Sequence, residues 1–194
     1  MNLGGNQMAE RKTVRFGGFG GQGIVLSSVV LGLAAVYDGK YVCQRASYGA
    51  EARGGKCRSE VIISDEEISY PLIDHLQTLV VMSQQAFDSY LDELEPEGLL
   101  IVDSDMVEDM EQRKDVEILR IPAAMTADSL GNRIVANMIM LGALQSRTGI
   151  VSKESLKRSI RDSVAQRFVD LDLKAVEEGE RILKALPKGK KDSM

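Results

Sequence analysis

The sequence predicts an α/β fold in which an open, mainly parallel sheet is flanked by helices. Three observations support this fold class. Near the start of the chain a short strand pattern runs through a glycine-rich loop into a helix. Apolar runs of strand length then alternate with helical segments, and only helical patterns follow residue 123. This last observation predicts C-terminal helices that pack on the same domain.

The first third of the chain supplies three of the predicted strands. The helix after the glycine loop is apolar on nearly every side, which is typical of a helix packed on two faces. Three β-branched residues, Val61, Ile62 and Ile63, mark the centre of the third strand. The predicted elements are a strand over 13–16, a helix over 22–37, a strand over 41–44, a loop over 46–56 and a strand over 59–64.

Continuous apolar runs predict two buried strands in the middle of the chain, because strands covered on both faces need not alternate. Pro96 ends the helix between them, and Pro122 closes the last strand. Ser152 is a candidate cap for the following helix, and Asp170 or Asp172 for the last helix. The predicted elements are strands over 78–82, 99–103 and 116–121, a helix over 84–94, and helices over 130–144, from 152 onward and up to 186.

We expect a single domain over residues 13–186, with a flexible leader over 1–12 and a basic tail over 187–194. The 194-residue chain has a net charge of −5 and only 5% aromatic residues, which argues against nucleic-acid binding. Its longest apolar stretch is interrupted by serines and a glycine and is too short to cross a bilayer. We therefore expect no membrane association and a cytoplasmic location.

Two cysteines and one histidine limit the metal chemistry of this chain. An iron–sulfur cluster usually needs four cysteine thiolates, and a structural zinc needs four Cys or His ligands. We therefore expect no metal site, with any electron carrier being organic or on another chain. Cys57 lies between Lys56 and Arg58, whose charges could lower the pKa of its thiol, but we expect a structural role rather than a catalytic one.

The glycine loop over residues 18–23 matches the pattern G-x-G-x-x-G and joins a strand to a helix, as in a Rossmann-like phosphate site. In NAD-binding sites of this kind, a carboxylate about 20 residues after the loop binds the ribose, and this sequence has no carboxylate at that place. Arg45 stands there instead and would suit a phosphate of NADP or of the ADP portion of coenzyme A. The glycines would equally permit tight packing or contact with a partner protein. The candidate binding residues of this loop are Gly18, Gly20, Gly21, Gln22 and Gly23.

A second loop is strongly cationic. Residues 40–58 carry five cationic side chains and one anionic side chain in a chain whose net charge is negative. Because ligand sites of open α/β sheets gather at the carboxyl edge of the strands, we expect this loop beside the glycine loop. Arg45 and Arg53 would bind phosphates or a partner's acidic side chains, with Glu51 orienting Arg53. The candidate residues are Arg45, Ser47, Tyr48, Glu51, Arg53, Gly54 and Gly55.

Two carboxylates, Asp103 and Asp105, come directly after the second buried strand. The carboxyl end of a parallel strand is where open α/β sheets bind ligands, and an aspartate in that position also caps the next turn. The sequence leaves both roles open for this pair.

The two loops together are similar to those of a known family. The chain resembles the gamma subunit, or gamma domain, of 2-oxoacid:ferredoxin oxidoreductases from residue 14 to the last helix. The combination of G-x-G-G-Q-G with S-Y-G-x-E-A-R-G-G is highly specific, and the second motif, followed by S-E-V-I-I-S-D, is most similar to the 2-oxoglutarate enzymes. Lys56 and Cys57 depart from relatives that carry small residues there. The matching stretches are 18–26, 38–40, 47–55, 59–65, 70–71, 82–86, 102–104 and 130–133, with Asn137, Leu141 and Gly142.

The resemblance implies a place in a complex that decarboxylates 2-oxoglutarate oxidatively to succinyl-CoA and reduces ferredoxin. In this family, thiamine diphosphate belongs to the alpha and beta chains, iron–sulfur clusters belong to beta or a delta chain, and gamma helps to bind coenzyme A. The chain would then hold no cofactor alone, would have no catalytic residue and would be inactive in isolation. The implied partners are the alpha and beta chains, a delta chain in four-chain complexes, and ferredoxin through the complex; homodimerisation of the isolated chain stays open.

The main alternative is a stand-alone reductase or sensor module that binds NADP or another nucleotide. A reductase of this kind predicts nicotinamide binding by the single chain and a recognisable proton donor. The missing ribose-binding carboxylate and the lack of a catalytic set of side chains disfavour it.

Overall fold

The central sheet is built from six strands in the part of the chain that the structure, a computed structural model, describes: residues 11–48, 55–110 and 113–186. The strands are β1 (Arg11–Phe19), β2 (Tyr41–Tyr48), β3 (Lys56–Ser64), β4 (Leu76–Val81), β5 (Leu94–Asp103) and β6 (Glu117–Ile121). The helices are α1 (Ile24–Tyr37), α2 (Gln84–Tyr90), α3 (Ala123–Ser129), α4 (Ala136–Thr148), α5 (Lys153–Ser163) and α6 (Gln166–Ala185).

The strands lie in the order β2-β3-β1-β4-β5-β6, and the sheet is open and mostly parallel, as predicted. β1, β4, β5 and β6 run parallel to one another, whereas β3 is antiparallel to both of its neighbours. β2 and β3 therefore form a hairpin that is added to the parallel part. Both strands are longer than predicted, so the segment between them covers only residues 49–55 rather than 46–56.

The sheet separates two apolar clusters. The larger cluster lies between the sheet and helices α1, α4, α5 and α6, and the smaller one lies between β4, β5 and α2. Alternate residues of one strand serve opposite clusters, so Val80 faces the larger cluster and Val81 faces the smaller one. The predicted burial of the first helix on two faces is confirmed, because Leu31 and Ala35 are fully buried and α1 packs against β3 as well as α5.

The prediction was wrong about how the chain enters β5. The predicted helix over 84–94 ends at Tyr90, and a single 3-10 turn leads into a strand that already starts at Leu94. The strand continues through Pro96 because the pairing with β4 shifts its register between Leu76 and Thr78, which leaves a bulge. Within that bulge Glu97 adopts a φ of 63°.

The C-terminal helices pack on the domain as predicted, but two of their starts differ from the prediction. The helix expected from residue 130 begins at Ala136. Ser152 does cap α5, since its side chain accepts a hydrogen bond from the backbone N–H of Ser155 at 3.1 Å. The capping roles assigned to Asp170 and Asp172 were wrong, because α6 begins at Gln166 and both aspartates lie inside it. Within the described ranges, no helix combines the length and apolarity needed to span a bilayer.

Helices α4 and α6 cross at two glycines. A Cβ atom at Gly179 would overlap the carbonyl oxygen of Ile139, and one at Gly142 would overlap the carbonyl oxygen of Val176. The two backbones therefore approach as closely as glycine allows. This contact buries Asp172, whose side chain lies on α6 with 6% of its surface exposed.

We expect Asp172→Asn to stabilise the protein at pH 7 by about 1–3 kcal/mol. Burial raises the pKa of Asp172 to about 6 from its ordinary value of 3.8, so the folded state binds a proton more tightly than the unfolded state. The resulting penalty is fully present above about pH 6 and disappears as the pH falls below 3.8. Urea unfolding of both proteins at pH 7.5, 5.5 and 4 measures this, and a gain that does not shrink toward low pH would contradict the explanation.

Candidate functional site

The glycine loop between β1 and α1 is held closed by Gln22. Its Oε1 accepts a hydrogen bond from the backbone N–H of Phe19 at 2.9 Å, and its Nε2 donates to the carbonyl oxygen of Met82 at 2.6 Å. Gly18 leaves room for this side chain, because a Cβ there would lie 2.7 Å from Cδ1 of Ile24 and closer still to Gln22. Gln22 therefore joins the loop to the end of β4.

Gly23 and Gly21 adopt backbone conformations that favour glycine, with φ values of 74° and 101°. Gly23 also lies against Asn137, whose Nδ2 donates to its carbonyl oxygen at 3.2 Å, and a Cβ would lie 2.8 Å from Cγ of Asn137. A Cβ at Gly21 would have no atom within 4 Å. The loop therefore has features of both a packing site and a ligand site. Gly18 and Gly23 pack closely against other side chains, whereas Gly20 and Gly21 are exposed beside the start of α1.

The two loops meet at one edge of the sheet, as predicted from the sequence. The backbone N–H of Gly20 donates to the carbonyl oxygen of Gly55 at 3.1 Å, and Phe19 pairs with Lys56 in the ladder between β1 and β3. Ser47 is exposed at the end of β2. The candidates Glu51, Arg53 and Gly54 and the side chain of Tyr48 lie outside the described residues.

A cavity of about 390 Å³ opens beside the glycine loop, above the carboxyl ends of β1, β4 and β5. This is where the chain crosses from one face of the sheet to the other, the usual position of a ligand in open α/β sheets. Gly20, Gly21 and Gln22 of the glycine loop line it, together with Ala124 of α3 and Ala136 of α4. The remaining walls are mostly apolar.

Asp103 lies in the wall of this cavity with 1% of its surface exposed. Its Oδ1 accepts hydrogen bonds from the backbone N–H groups of Ala123 at 3.2 Å, Ala124 at 3.4 Å and Asp105 at 3.2 Å. Its Oδ2 is buried and has no hydrogen-bond partner in the described part of the protein. Burial raises the pKa of Asp103 despite the three backbone donors. Asp103 therefore caps the start of α3 and also faces the cavity, the two roles left open by the sequence.

The mouth of the cavity carries a cation that the sequence analysis did not single out. Arg133 lies in the turn between α3 and α4, with 60% of its side chain exposed and Nη1 3.1 Å from Oδ2 of Asp128. The neighbouring Ile134 also lines the cavity and is 56% exposed. Arg133 lies in the matching stretch 130–133, but the sequence analysis assigned it no role in a site, because it reaches the cavity only through the turn that interrupts the predicted helix.

Arg45 lies elsewhere, on the sheet face that α2 covers in part. Its Nε is 3.7 Å from Oε2 of Glu60 on β3, and Glu60 Oε1 in turn accepts a hydrogen bond from Nε of Arg15 on β1 at 2.9 Å. Arg15 Nη1 lies 2.7 Å from Glu93, and its guanidinium stacks 5.1 Å from the ring centre of Tyr90. We call these five residues the sheet-face charge cluster. Arg45 belongs to it and does not line the cavity.

The structure decides against a lowered pKa for Cys57. The thiol is buried, with 4% of the residue exposed, and burial raises its pKa instead of lowering it. The charges of Lys56 and Arg58 do not outweigh the loss of solvent, so Cys57 is a packed side chain with little thiolate. In the described ranges, no group of three or more His, Cys, Asp or Glu side chains is arranged to hold a metal ion.

Comparison with known proteins places this architecture among oxoacid oxidoreductases. Residues 13–182 match the family model described as pyruvate ferredoxin/flavodoxin oxidoreductase. The 2-oxoglutarate synthase subunit KorC of Methanothermobacter thermautotrophicus is 47% identical over 180 residues, which cover 89% of this chain and 95% of that protein.

Two solved structures share the fold. The gamma subunit of a keto/oxoacid ferredoxin oxidoreductase from Geobacter sulfurreducens superimposes with a TM-score of 0.80 at 38% identity, over 90% of this chain and 99% of that one. The 2-oxoglutarate:ferredoxin oxidoreductase of Magnetococcus marinus, solved with 2-oxoglutarate, coenzyme A and succinyl-CoA bound, gives a TM-score of 0.84 at 24% identity. This match covers 93% of our chain but 32% of that longer one, and at this identity it bears on the fold alone.

Proposed function

Because the chain belongs to the pyruvate ferredoxin/flavodoxin oxidoreductase family, we propose that it is the gamma subunit of a 2-oxoglutarate:ferredoxin oxidoreductase. The observation that carries this proposal is the 47% identity with a 2-oxoglutarate synthase subunit over almost the whole of both chains. The complex converts 2-oxoglutarate and coenzyme A to succinyl-CoA and carbon dioxide and passes two electrons to ferredoxin. The cytoplasmic location expected from the sequence is part of the proposal.

We propose that the thiamine diphosphate and the iron–sulfur clusters of this complex lie on partner chains. For the clusters the support is compositional, because the whole chain has two cysteines and one histidine, fewer than a cluster usually needs. For thiamine diphosphate the support is the family to which the chain belongs. The partners are alpha and beta chains, with a delta chain where the clusters have a chain of their own. In this assembly the gamma subunit contributes structure and binding surface, and it contributes no catalytic residue.

We propose that coenzyme A contacts this chain at the edge where the two loops meet. The exposed glycines Gly20 and Gly21 lie beside the uncapped start of α1, where backbone N–H groups and the helix dipole favour a phosphate. Arg133 at the cavity mouth adds a cation, and the apolar walls accept a ring or an alkyl chain. Coenzyme A, when bound, takes up the acyl group. Ser47 and Gly55 border the same edge, and the candidates over 48–54 are retained as proposals.

The arginines of the second loop have a different role in this proposal. Arg45 is half-exposed on the sheet face and already pairs with Glu60, so it is better placed to bind acidic side chains of the alpha chain than a ligand in the cavity. The edge strand β2, to which Arg45 belongs, also exposes Tyr41, of which 52% is accessible. Aromatic and arginine side chains of this kind are enriched in protein interfaces.

Reconstitution tests the proposed function. We expect one complex to form when this chain is co-expressed with the chains of the same complex that bind thiamine diphosphate and the iron–sulfur clusters. This complex should reduce a viologen dye when 2-oxoglutarate and coenzyme A are both present. Omitting this chain should abolish the activity, and pyruvate and branched-chain oxoacids should be turned over more slowly. A complex that is equally active without this chain, or that prefers pyruvate, would overturn the proposal.

The stand-alone NADP-dependent reductase gains no support from the comparisons. Two relatives that match over nearly their whole length are named as subunits of oxoacid enzymes. Titration of the isolated chain with NADPH gives a direct check, and we expect no binding.

A further inference from the structure

We propose that two copies of this chain associate through helix α1 and the free edge of strand β2, around one two-fold axis. The occupant of this surface is a second copy of the same chain. The pairing goes beyond the proposed function, because it joins two gamma subunits and does not depend on the substrate or on coenzyme A.

Helix α1 presents an apolar stripe to the solvent. Leu26, Val29, Leu33 and Val36 lie on this stripe, at the alternating spacing of three and four residues that is typical of a helix packed on another helix. Val29 and Val36 are 41% and 50% exposed, and the two leucines are partly exposed. None of the 14 residues of α1 is charged, whereas a helix face in water normally carries polar and charged side chains. We call these four residues the α1 seam.

The α1 seam points past the edge of the sheet. On the neighbouring face of the helix, Ser28 Oγ accepts a hydrogen bond from Nε2 of Gln44 at 3.0 Å. A Cβ at Gly32 would lie 3.2 Å from Cγ1 of Val42, so this face lies against β2. The seam is turned by roughly 100° around the helix from these contacts. Because the other side of α1, which includes Ala34, is fully buried, the seam lies on the side where the sheet ends at β2.

Strand β2 has a free edge directly beside the α1 seam. It is the outermost strand of the sheet, and within the described ranges only β3 pairs with it. Such an edge offers unpaired backbone N–H and C=O groups to another strand. Proteins often block an edge with several charged side chains, but Arg45 is the one charged residue among the eight of β2. The edge is therefore suited to strand pairing.

One two-fold axis serves the helix and the strand together. The two contacts between α1 and β2 put the middle of the α1 seam level with Val42 and Cys43. An axis at this level packs the two seams against each other as antiparallel helices. The same rotation brings the two β2 strands side by side, also antiparallel. The surface is therefore complementary to itself, as a two-fold interface requires, and this fit selects a second copy over an unrelated chain.

The register set by this axis keeps like charges apart. With the axis at Cys43, Arg45 of one copy lies opposite Tyr41 of the other, and a guanidinium beside an aromatic ring is a favourable contact. Two Arg45 side chains therefore do not face each other. Both side chains project from the face of the sheet and not from its edge, so the pairing leaves that face available to the alpha chain.

Analytical ultracentrifugation of the full chain alone tests the association. We expect the wild-type chain to sediment with twice the mass of a single copy. Val29→Glu places a charge in the middle of the α1 seam, and we expect it to weaken dimerisation by at least about tenfold, because burying an unpaired carboxylate is costly. The variant should stay folded, because Val29 is 41% exposed in the single chain.

Met125→Glu is the matched control. It introduces the same charge at another exposed apolar residue, on α3, of which 64% is accessible. We expect this variant to dimerise as the wild-type chain does. Circular dichroism and thermal unfolding of both variants establish that they are folded.

Oxidation of Cys43 tests the register. Residues paired across an antiparallel ladder have Cα atoms about 4.5–5.5 Å apart, which a disulfide can span. We therefore expect mild oxidation with copper phenanthroline to link two wild-type copies through Cys43. Cys43→Ser should still dimerise without becoming linked, since the second cysteine, Cys57, is buried. Val29→Glu should not become linked.

Several results would overturn the pairing. A chain that is monomeric at every concentration measured refutes it, as does a dimer that Val29→Glu leaves unchanged. A dimer that Cys43 cannot link refutes the shared axis. If the chain is monomeric alone and Val29→Glu prevents recovery of the alpha chain in the reconstituted complex, the alpha chain covers the α1 seam and the proposal is wrong. None of these measurements uses activity with 2-oxoglutarate, so the proposed function is tested separately.

Discussion

Replacing Gly179 with alanine is expected to lower the free energy of unfolding by about 3 kcal/mol or more. In an exposed helix the same change stabilises by roughly 1 kcal/mol, because alanine is the better helix former. Here the new Cβ would overlap the carbonyl oxygen of Ile139 and lie 2.9 Å from the backbone nitrogen of Ala143. Both atoms belong to the backbone of α4, so no side chain can rotate away, and the two helices must separate. Equilibrium unfolding in urea measures the loss.

Two controls isolate the close approach as the cause. Glu177→Ala changes an exposed position on the same helix and is expected to alter the free energy of unfolding by less than about 0.5 kcal/mol. Gly131→Ala places a Cβ at a φ of 92° in open space, which costs roughly 1–2 kcal/mol from backbone conformation alone. A loss at Gly179 no larger than the loss at Gly131 would show that the crossing of α4 and α6 tolerates a methyl group.

Replacing Arg15 with methionine is expected to cost about 3–5 kcal/mol, because it leaves a buried carboxylate without its main partner. Arg15 and Glu60 are exposed to only 3% and 7%, and their hydrogen bond at 2.9 Å lies in the middle of the sheet-face charge cluster. Arg45 remains, but at 3.7 Å and half in solvent it replaces little of the lost interaction. Methionine keeps most of the side-chain volume, so the loss measures charge and hydrogen bonding rather than an empty space.

The second-site variant Arg15→Met with Glu60→Gln distinguishes this explanation from general disruption. Neutralising Glu60 removes the buried carboxylate charge that Arg15→Met leaves unpaired. The double variant should therefore recover more than half of the lost free energy of unfolding. Arg158→Met, which breaks an exposed pair with Asp162 on α5, should cost less than about 1 kcal/mol. A double variant that is no more stable than Arg15→Met alone would mean that Arg15 acts through its packing on Tyr90.

The fold class could be predicted because the amino-acid sequence of the parallel strands itself indicates that they are buried. The runs that became β4 and β5 are apolar on both faces, and α1 is apolar all round, so their local sequence already reports burial on two sides. The ends of the elements could not be predicted in this way. β2 and β3 extend into a stretch whose composition is that of a loop, and it is the pairing of β3 with β2 and with β1 that makes these residues strands.

The start of α6 was missed for a related reason. Asp170 and Asp172 resemble capping residues, but whether an aspartate caps a helix or lies within it depends on what packs around it. α4 covers this part of α6, and the sequence near residue 172 does not report that distant contact.

The candidate site was predictable in its position and less so in its members. The rule that ligands bind at the carboxyl ends of parallel strands placed the two loops together, and the hydrogen bond between Gly20 and Gly55 confirms it. The direction of Arg45 could not be predicted, because side chains alternate along a strand and the true extent of β2 was unknown. The place of Arg133 depends on the turn before α4, and the unpaired oxygen of Asp103 depends on how its carboxylate meets the start of α3; neither arrangement can be deduced from the local sequence.

The burial of α4 also has a consequence for how the protein is made. Residues 136–145 are all buried, and α6, the last helix to be synthesised, covers part of that surface. While the nascent polypeptide is still attached to the ribosome, the surface of α4 that α6 covers therefore stays exposed until residues 166–185 have emerged. During this interval the growing chain presents an apolar surface of the kind that chaperones bind, and premature termination near residue 150 would release an aggregation-prone product.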